Sequence, residues 1–470
     1  MRDRILSIVL LAAASALPLP VLGEPAARPN VIFILVDDMG YADVGAYGNP
    51  YHRTPHIDRL AAQGMRFTNA YAAAPNCSPT RASILTGKWP ARVRVTQYLP
   101  GNVLPYAKLR QAELPDGLPL DETILAQPLK AAGYATASIG KWHLGGGEYL
   151  PERRGFDVGF GGGWWGHHDH MFAPYGKPPI TAPEGEYLTD RLTAESLAFI
   201  EAHRGRPFFL YLPLYAVHGP IEAKKEVMAR YGKRWDPSGR NNTAYAAMVE
   251  GVDECVGRIM QRLEELGIED RTVVFFFSDN GGVQSRAFNG GLRRGKGWLY
   301  EGGIREPLIV KWPGVTEPGS VCDTPVSSVD FYPTILEIAG VDDAPGHAPD
   351  GESLVPLLRQ EGGLARDALY WHYPHYSNAG SPPCGAIRMG AWKLIEFFED
   401  GRLELYNLLR DPGERHDLSR RLPGRTKALH RKLVEWRKAV EAVMPTTNPD
   451  YDPARAKQKR GARSRWDTES

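Results

Sequence analysis

Four apolar runs in this chain break off abruptly into polar and glycine-rich residues: NVIFILVDD (30–38), YATASIGKWHLGG (134–146), PFFLYLPLYAVHGP (207–220) and TVVFFFSDNGG (272–282). Their apolar positions are continuous rather than alternating, the pattern of strands covered on both faces. Such strands need helices on each side, and the intervening TPHIDRLAAQG, LDETILAQPLKAAG and YAAMVEGVDECVGRIMQRLEELG carry helical periodicity. The alternation predicts an α/β fold with a largely parallel central sheet flanked by helices. Ligands of such sheets bind beyond the carboxyl ends of the strands, and every polar cluster named here falls at that end.

The 470 residues exceed one ordinary domain. After about residue 365 the texture changes to ALYWHYPHY, CGAIRMGAWKLIEFFEDGRLELYNL and the amphipathic KALHRKLVEWRKAVEAV. This predicts a small antiparallel sheet with one packing helix, its EDG turn closing a hairpin. The expected organisation is a leader over 1–23, a catalytic domain over 24–365, a C-terminal subdomain over 366–445 and an aperiodic, flexible tail over 446–470.

The leader expectation rests on MRDRILSIVLLAAASALPLPVLG, in which Arg2 and Arg4 precede an apolar run that ends at prolines and the small residue Gly23. This is the pattern of a secretory signal peptide cleaved after Gly23, and it implies a secreted or periplasmic protein. The alternative, a membrane anchor, needs about 20 uninterrupted apolar residues, and Pro18 and Pro20 interrupt this run, so no integral span is expected. Without the leader, 56 basic and 55 acidic side chains become 54 of each. That balance gives no reason to expect nucleic-acid binding, and the basic stretch ARAKQKRGARSR reads as a solvated end.

Asp37 and Asp38 follow one predicted strand and Asp279 and Asn280 another, so four hard oxygen donors can converge above the sheet. Oxygen donors favour Ca²⁺ or Mg²⁺ over zinc. Taken singly, either pair suits a loop cap or turn. Cys77 opens CSPTRASILTG, where Pro79 suits the first turn of a helix, placing the thiol where partial positive charge favours anions, with Arg81 at i+4. A disulfide or an inert buried thiol is the alternative. The other cysteines, Cys255, Cys322 and Cys384, form no Cys-x-x-Cys pair.

CSPTRASILTG resembles the Cys-x-Pro-x-Arg signature of the formylglycine-dependent sulfatases. The resemblance extends through NVIFILVDDMGYADVGAYG, GKWHLG, HGP, SDNGG, GKGWLYEGGIREP and LYNLLRDPGERHDL, seven matches in the family's order. It implies an alkaline-phosphatase-like fold and a metal held by Asp37, Asp38, Asp279, Asn280 and the modified Cys77. It implies further that Arg81 and Lys141 steady the modified residue, that His143 assists regeneration of its aldehyde, and that His218 and Lys296 contact the sulfate or its leaving oxygen. A formylglycine-generating or maturase enzyme is then a required partner. Read without the family, Lys141 and Lys296 also suit solvated loops, and His143 and His218 suit a satisfied core.

The implied chemistry explains the cysteine. A serine attacking sulfur is left as a stable sulfate ester, whereas an aldehyde hydrate attacks with one hydroxyl and uses the other to expel sulfate. The loop GFGGGWWGHHDHMFAPYG places Trp164, Trp165, His167, His168 and His170 among glycines, a composition suited to a sugar, with a second metal site or plain loop packing as alternatives. The expected activity is hydrolysis of a sulfated saccharide. A phosphonate or phosphate monoester hydrolase of the same superfamily and a catalytically silent glycan-binding homologue are the competing readings.

Overall fold

The computed structural model describes residues 28–177, 179–232, 236 and 242–461, with Arg460 and Gly461 described by their backbone alone; the predicted leader lies outside the described residues. A nine-stranded sheet runs through the centre, ordered Ser320–Cys322, Met65–Tyr71, Arg305–Lys311, Thr272–Ser278, Asn30–Val36, Phe208–Pro213, Ala135–Ile139 and Val158–Phe160, with Val326–Ser327 also paired to Met65–Tyr71. Only Arg305–Lys311 runs against the others. The four apolar runs are thus four adjacent strands of a largely parallel sheet, as expected. All seven residues of Asn30–Val36 and of Thr272–Ser278 are buried, because helices cover both faces.

One face packs Leu188–Ala202 and the long helix Thr243–Glu265 against Ile32, Ile34 and Leu212. The other receives Cys77–Thr86 and Phe331–Ala339, where Phe331 meets Phe33 edge-on at 5.1 Å and Phe277 at 4.9 Å. Truncating Phe331 to alanine removes the ring that joins two strands, Asn30–Val36 and Thr272–Ser278, a loss of about 3–5 kcal/mol for a buried aromatic.

Beyond the sheet, Ala368–Tyr373, Cys384–Met389, Trp392–Phe397 and Leu403–Asn407 form a separate antiparallel sheet, with the Asp400–Gly401 turn closing its last hairpin. Helix Pro423–Ala439 lays Leu429 and Leu433 on Ile387, Leu394 and Leu405. This sheet docks through buried polar contacts: Trp371 Nε1 donates to the Ala72 carbonyl at 2.8 Å, and Lys393 bridges Glu301 and Glu414 at 2.9 and 3.0 Å.

The described part of the expected aperiodic tail, 446–461, is paired at both ends. Thr446–Thr447 pairs with Leu109–Arg110, and Arg460–Gly461 pairs with Asn102–Val103. Asn448, only 5% exposed, donates to the carbonyls of Pro105 and Ala107 at 2.9 and 2.7 Å. Two-residue strands carry no period to read; their order is borrowed from the segment they lie on. Among the described residues no helix is long and apolar enough to cross a membrane. All four cysteines are free thiols.

Candidate active site

The carboxyl ends of the central strands converge on one deep point. Asp37 and Asp38 continue the first strand, Asp279 and Asn280 continue Thr272–Ser278, and Gly140–His143 leaves Ala135–Ile139. The reversed strand Arg305–Lys311 starts at this same end, so the glycine-rich run before it crosses the site and delivers Lys296. Cys77 is the first residue of helix Cys77–Thr86, all ten residues of which are buried. The side chain of its N-cap, Asn76, donates to the Tyr373 hydroxyl at 2.9 Å instead of capping, so the C-terminal sheet buttresses the residue before Cys77. At the far end Gly87 takes the left-handed conformation (φ 69°), and a Cβ there would meet Pro349 and Tyr332 at 2.9 Å.

Around Cys77 charges alternate at close range. Arg81 donates through Nε and a terminal nitrogen to one oxygen of Asp279 at 3.0 and 2.7 Å and through its other terminal nitrogen to the Lys141 carbonyl at 2.7 Å. Lys141 is paired with Asp37, and Lys296 lies 2.6 Å from Asp38 and 3.4 Å from Cys77 Sγ. Burial alone would raise Asp38, yet Lys296 and His218 hold its carboxyl well below the usual range. Burial and the neighbouring Asp37 push Asp279 up. Burial, with Asp37 beside it, pushes the Cys77 thiol up to about 12. Burial thus favours the neutral thiol of an unmodified Cys77 over the thiolate.

Ligand atoms of Asp37, Asp38, Cys77 and Asp279 all lie within 4.8 Å of one another. Asn280 donates to Asp38 at 2.8 Å, while its own Oδ1 is buried without a hydrogen-bond partner. Crowded carboxylates and an orphaned amide oxygen fit a hard divalent cation, which would relieve both. Asp38 holds a left-handed backbone (φ 61°), as does His143 (φ 58°), strain of about 1–3 kcal/mol each that the surrounding packing sustains.

The two histidines are held in different states of readiness. His143 Nε2 bonds the Leu99 carbonyl at 2.7 Å, so the proton sits on Nε2 and the buried, unpartnered Nδ1 keeps a free lone pair. Burial and the Lys141 ammonium hold this imidazole neutral. Gly166 lies against the ring: a Cβ there would come within 2.6 Å of it, so only glycine fits. His218 donates Nδ1–H to the Gly219 carbonyl at 2.8 Å and turns Nε2 toward Asp38 at 3.7 Å. Burial and Lys296 push it down to about 3.

A cavity of about 770 Å³ rises from Cys77, His143, His218 and Lys296. Trp164 and Trp165, stacked at 4.6 Å, line it with His167, whose ring lies parallel to that of His218 at 5.9 Å. Two residues of the expected substrate loop do not line this cavity, although His168 borders a smaller adjoining pocket with Asp38, His218 and Lys296. His168 is buried against Tyr215, ring to ring at 4.4 Å, and exposed His170 faces Glu222 at 3.6 Å. Composition picked out the loop but not which way each ring turns. The cavity also takes Tyr98, Gln284, Ser285, Trp298, Ser377 and Asn378, which sequence reasoning missed. Trp298 stands two residues after Lys296 in a motif already singled out; Ser377 and Asn378 lie in a Ser/Pro/Gly loop whose destination only the docked C-terminal sheet determines.

A sequence profile described as Sulfatase matches residues 29–341, and one described as N-sulphoglucosamine sulphohydrolase, C-terminal, matches residues 294–439. The chain belongs to the sulfatase family. It is an enzyme that hydrolyses sulfate esters. Human N-acetylgalactosamine-6-sulfatase is 33% identical over 463 residues, 89% of this chain and 86% of the relative. Human arylsulfatase A is 33% identical over 464 residues, covering 85% of each. The crystal structure of Ps i-CgsB in complex with k-i-k-neocarrahexaose superposes with a TM-score of 0.76 at 31% identity, over 90% of this sulfatase and 94% of that chain. The alkaline-phosphatase-like fold expected from the sequence is the fold of this sulfatase.

Proposed function

We propose that this sulfatase is an exported enzyme that removes sulfate from a saccharide, using a formylglycine made from Cys77 by a maturase and a divalent cation, calcium in preference to magnesium. The observation that carries the reading is the meeting of Cys77 with three carboxylates and three cations at the base of one cavity walled by tryptophans. Asp37, Asp38, Asp279 and Asn280 would hold the cation together with residue 77, and irregular carboxylate and amide coordination suits calcium. Bound there, the cation would polarise a sulfuryl oxygen as a Lewis acid. The formylglycine hydrate would supply two hydroxyls on one carbon, one to take the sulfuryl group and one to release it.

The remaining work falls to side chains. Arg81 and Lys141 fix the acidic residues beside residue 77 through buried ion pairs, and Lys296 stands where an incoming sulfate would share its charge. His143, neutral with Nδ1 free, is suited to take a proton. His218 is suited to give one: a bound anion would offset the Lys296 field that keeps it unprotonated. Trp164, Trp165 and Trp298 offer apolar faces for sugar rings, and the sugar in the name of the relative N-acetylgalactosamine-6-sulfatase supports the same reading. The test is release of inorganic sulfate from sulfated saccharides by the purified protein, with the mass of the peptide spanning residue 77 read in parallel. Full activity from unmodified cysteine would overturn the formylglycine assignment. Turnover of phosphonate or phosphate monoesters without release of sulfate from the saccharides would favour the phosphonate or phosphate monoester reading, and binding without turnover a silent glycan-binding protein.

His218→Ala is expected to slow hydrolysis of sugar sulfates by about 10²–10⁴-fold, the usual contribution of a general acid, while sparing activated aryl sulfates. The parent's kcat on sugar sulfates should fall as pH rises, because the acid form that the bound anion supports is lost, and that limb should vanish in the variant. Equal impairment on both substrate types would sink the assignment.

A further inference from the structure

We infer that the C-terminal segment is part of the substrate site, bringing Lys459 to its rim as a cationic contact for a second anionic group, a sulfate or a carboxylate, on the saccharide. This rests on the saccharide reading above. The segment is tied at both ends to one stretch of the catalytic domain: Thr446–Thr447 to Leu109–Arg110 and Arg460–Gly461 to Asn102–Val103. Between them the Asp452 amide donates to the Tyr106 carbonyl at 3.2 Å, and the Arg455 guanidinium sits 3.5 Å over the Tyr106 ring. Lys459, next to the second pairing, is therefore placed by backbone hydrogen bonds rather than by chance contact.

Its ammonium donates to Asn378 Oδ1 at 2.8 Å, and Asn378 Nδ2 donates to the Tyr98 hydroxyl at 2.8 Å. Asn378 and Tyr98 both line the cavity that has Cys77 at its base, and Asn378 is exposed, which puts Lys459 at the mouth. Among the described residues no carboxylate stands within ion-pair distance of Lys459. A neutral amide orients the ammonium without neutralising it, so among the described residues an anion arriving at the rim displaces no salt bridge. One sulfate is enough for the deep site. A fixed cation further out gains affinity only from a substrate carrying another negative group.

The experiment compares Lys459→Ala and Lys459→Arg with the parent on an aryl sulfate, a monosulfated neutral sugar and the same sugar bearing a second sulfate. For the disulfated sugar, Lys459→Ala should raise KM by about 3- to 10-fold, in the range of one exposed charged contact, with kcat unchanged and largely restored in Lys459→Arg. The aryl and monosulfated substrates should respond alike in all three proteins, and added salt should erode the parent's advantage on the disulfated sugar. An unchanged KM for the disulfated sugar, or the same loss on every substrate, overturns the inference while leaving the sulfatase reading intact. A parent that releases sulfate from the aryl ester but from neither sugar overturns the saccharide reading and this inference with it.

Discussion

Cys77→Ser is expected to yield a folded protein that reacts once and stops. Residue 77 is 2% exposed in a helix start that a hydroxymethyl group fills almost as a thiol does, so the change should not disturb packing. A serine hydroxyl placed among Lys296, Arg81 and the acidic cluster can attack sulfur, but its product is an ordinary sulfate ester. No second hydroxyl on the same carbon is present to expel the sulfate, and His143 has no proton there to remove. Steady-state turnover should fall at least about 10⁴-fold, the scale on which removal of a nucleophile acts. The peptide containing residue 77 should gain the mass of a sulfuryl group after exposure to an aryl sulfate. Sustained turnover by the serine variant near the parent rate would refute the need for a hydrated aldehyde.

Asp279→Asn should cost metal and activity together. The carboxylate it removes accepts two hydrogen bonds from Arg81 and stands within 4.8 Å of the other ligand atoms. An amide keeps the size and one acceptor but withdraws a negative charge from the proposed cation site and from a guanidinium that is fully buried. The activity loss should exceed the roughly 10–100-fold that follows when only an outer partner of a metal ligand is removed. Asp279→Ala should in addition destabilise the protein by about 3–5 kcal/mol, since it strands a buried charge with only Asp37, 3.5 Å away. Elemental analysis of the parent and both variants, alongside activity with added calcium, checks the assignment. An Asp279→Asn protein with full calcium content, or an active parent that carries stoichiometric zinc instead, would contradict it.

The sheet was legible because its strands are buried on both faces, and burial on both faces writes itself as unbroken apolar runs such as TVVFFFS. The acidic pairs and GKWHLG were legible for a related reason: polar residues directly after such runs fall at the carboxyl end of a parallel sheet. The direction of side chains within the glycine-rich loop was not. His167 reaches the cavity, while His168, one residue on, turns into the wall against Tyr215, and nothing in the order of two adjacent histidines separates them. The tail was opaque for a different reason. Its strands are two residues long and exist through pairing with residues more than 300 positions away in the chain, so local pattern has nothing to report.

The enclosure of Cys77 also sets an order of events. Helix Cys77–Thr86 is buried along its whole length, with Pro79 and Arg81 packed inside, so the folded protein presents no stretch of CSPTR for another enzyme to grasp. On the reading proposed above, oxidation of the thiol has to be finished while this stretch is still extended, before the sheet closes around it. On that reading a chain that folded first would be sound in every other respect and would stay idle. The active fraction of a preparation would then be decided once, at synthesis, and would record the capacity of the host that made it.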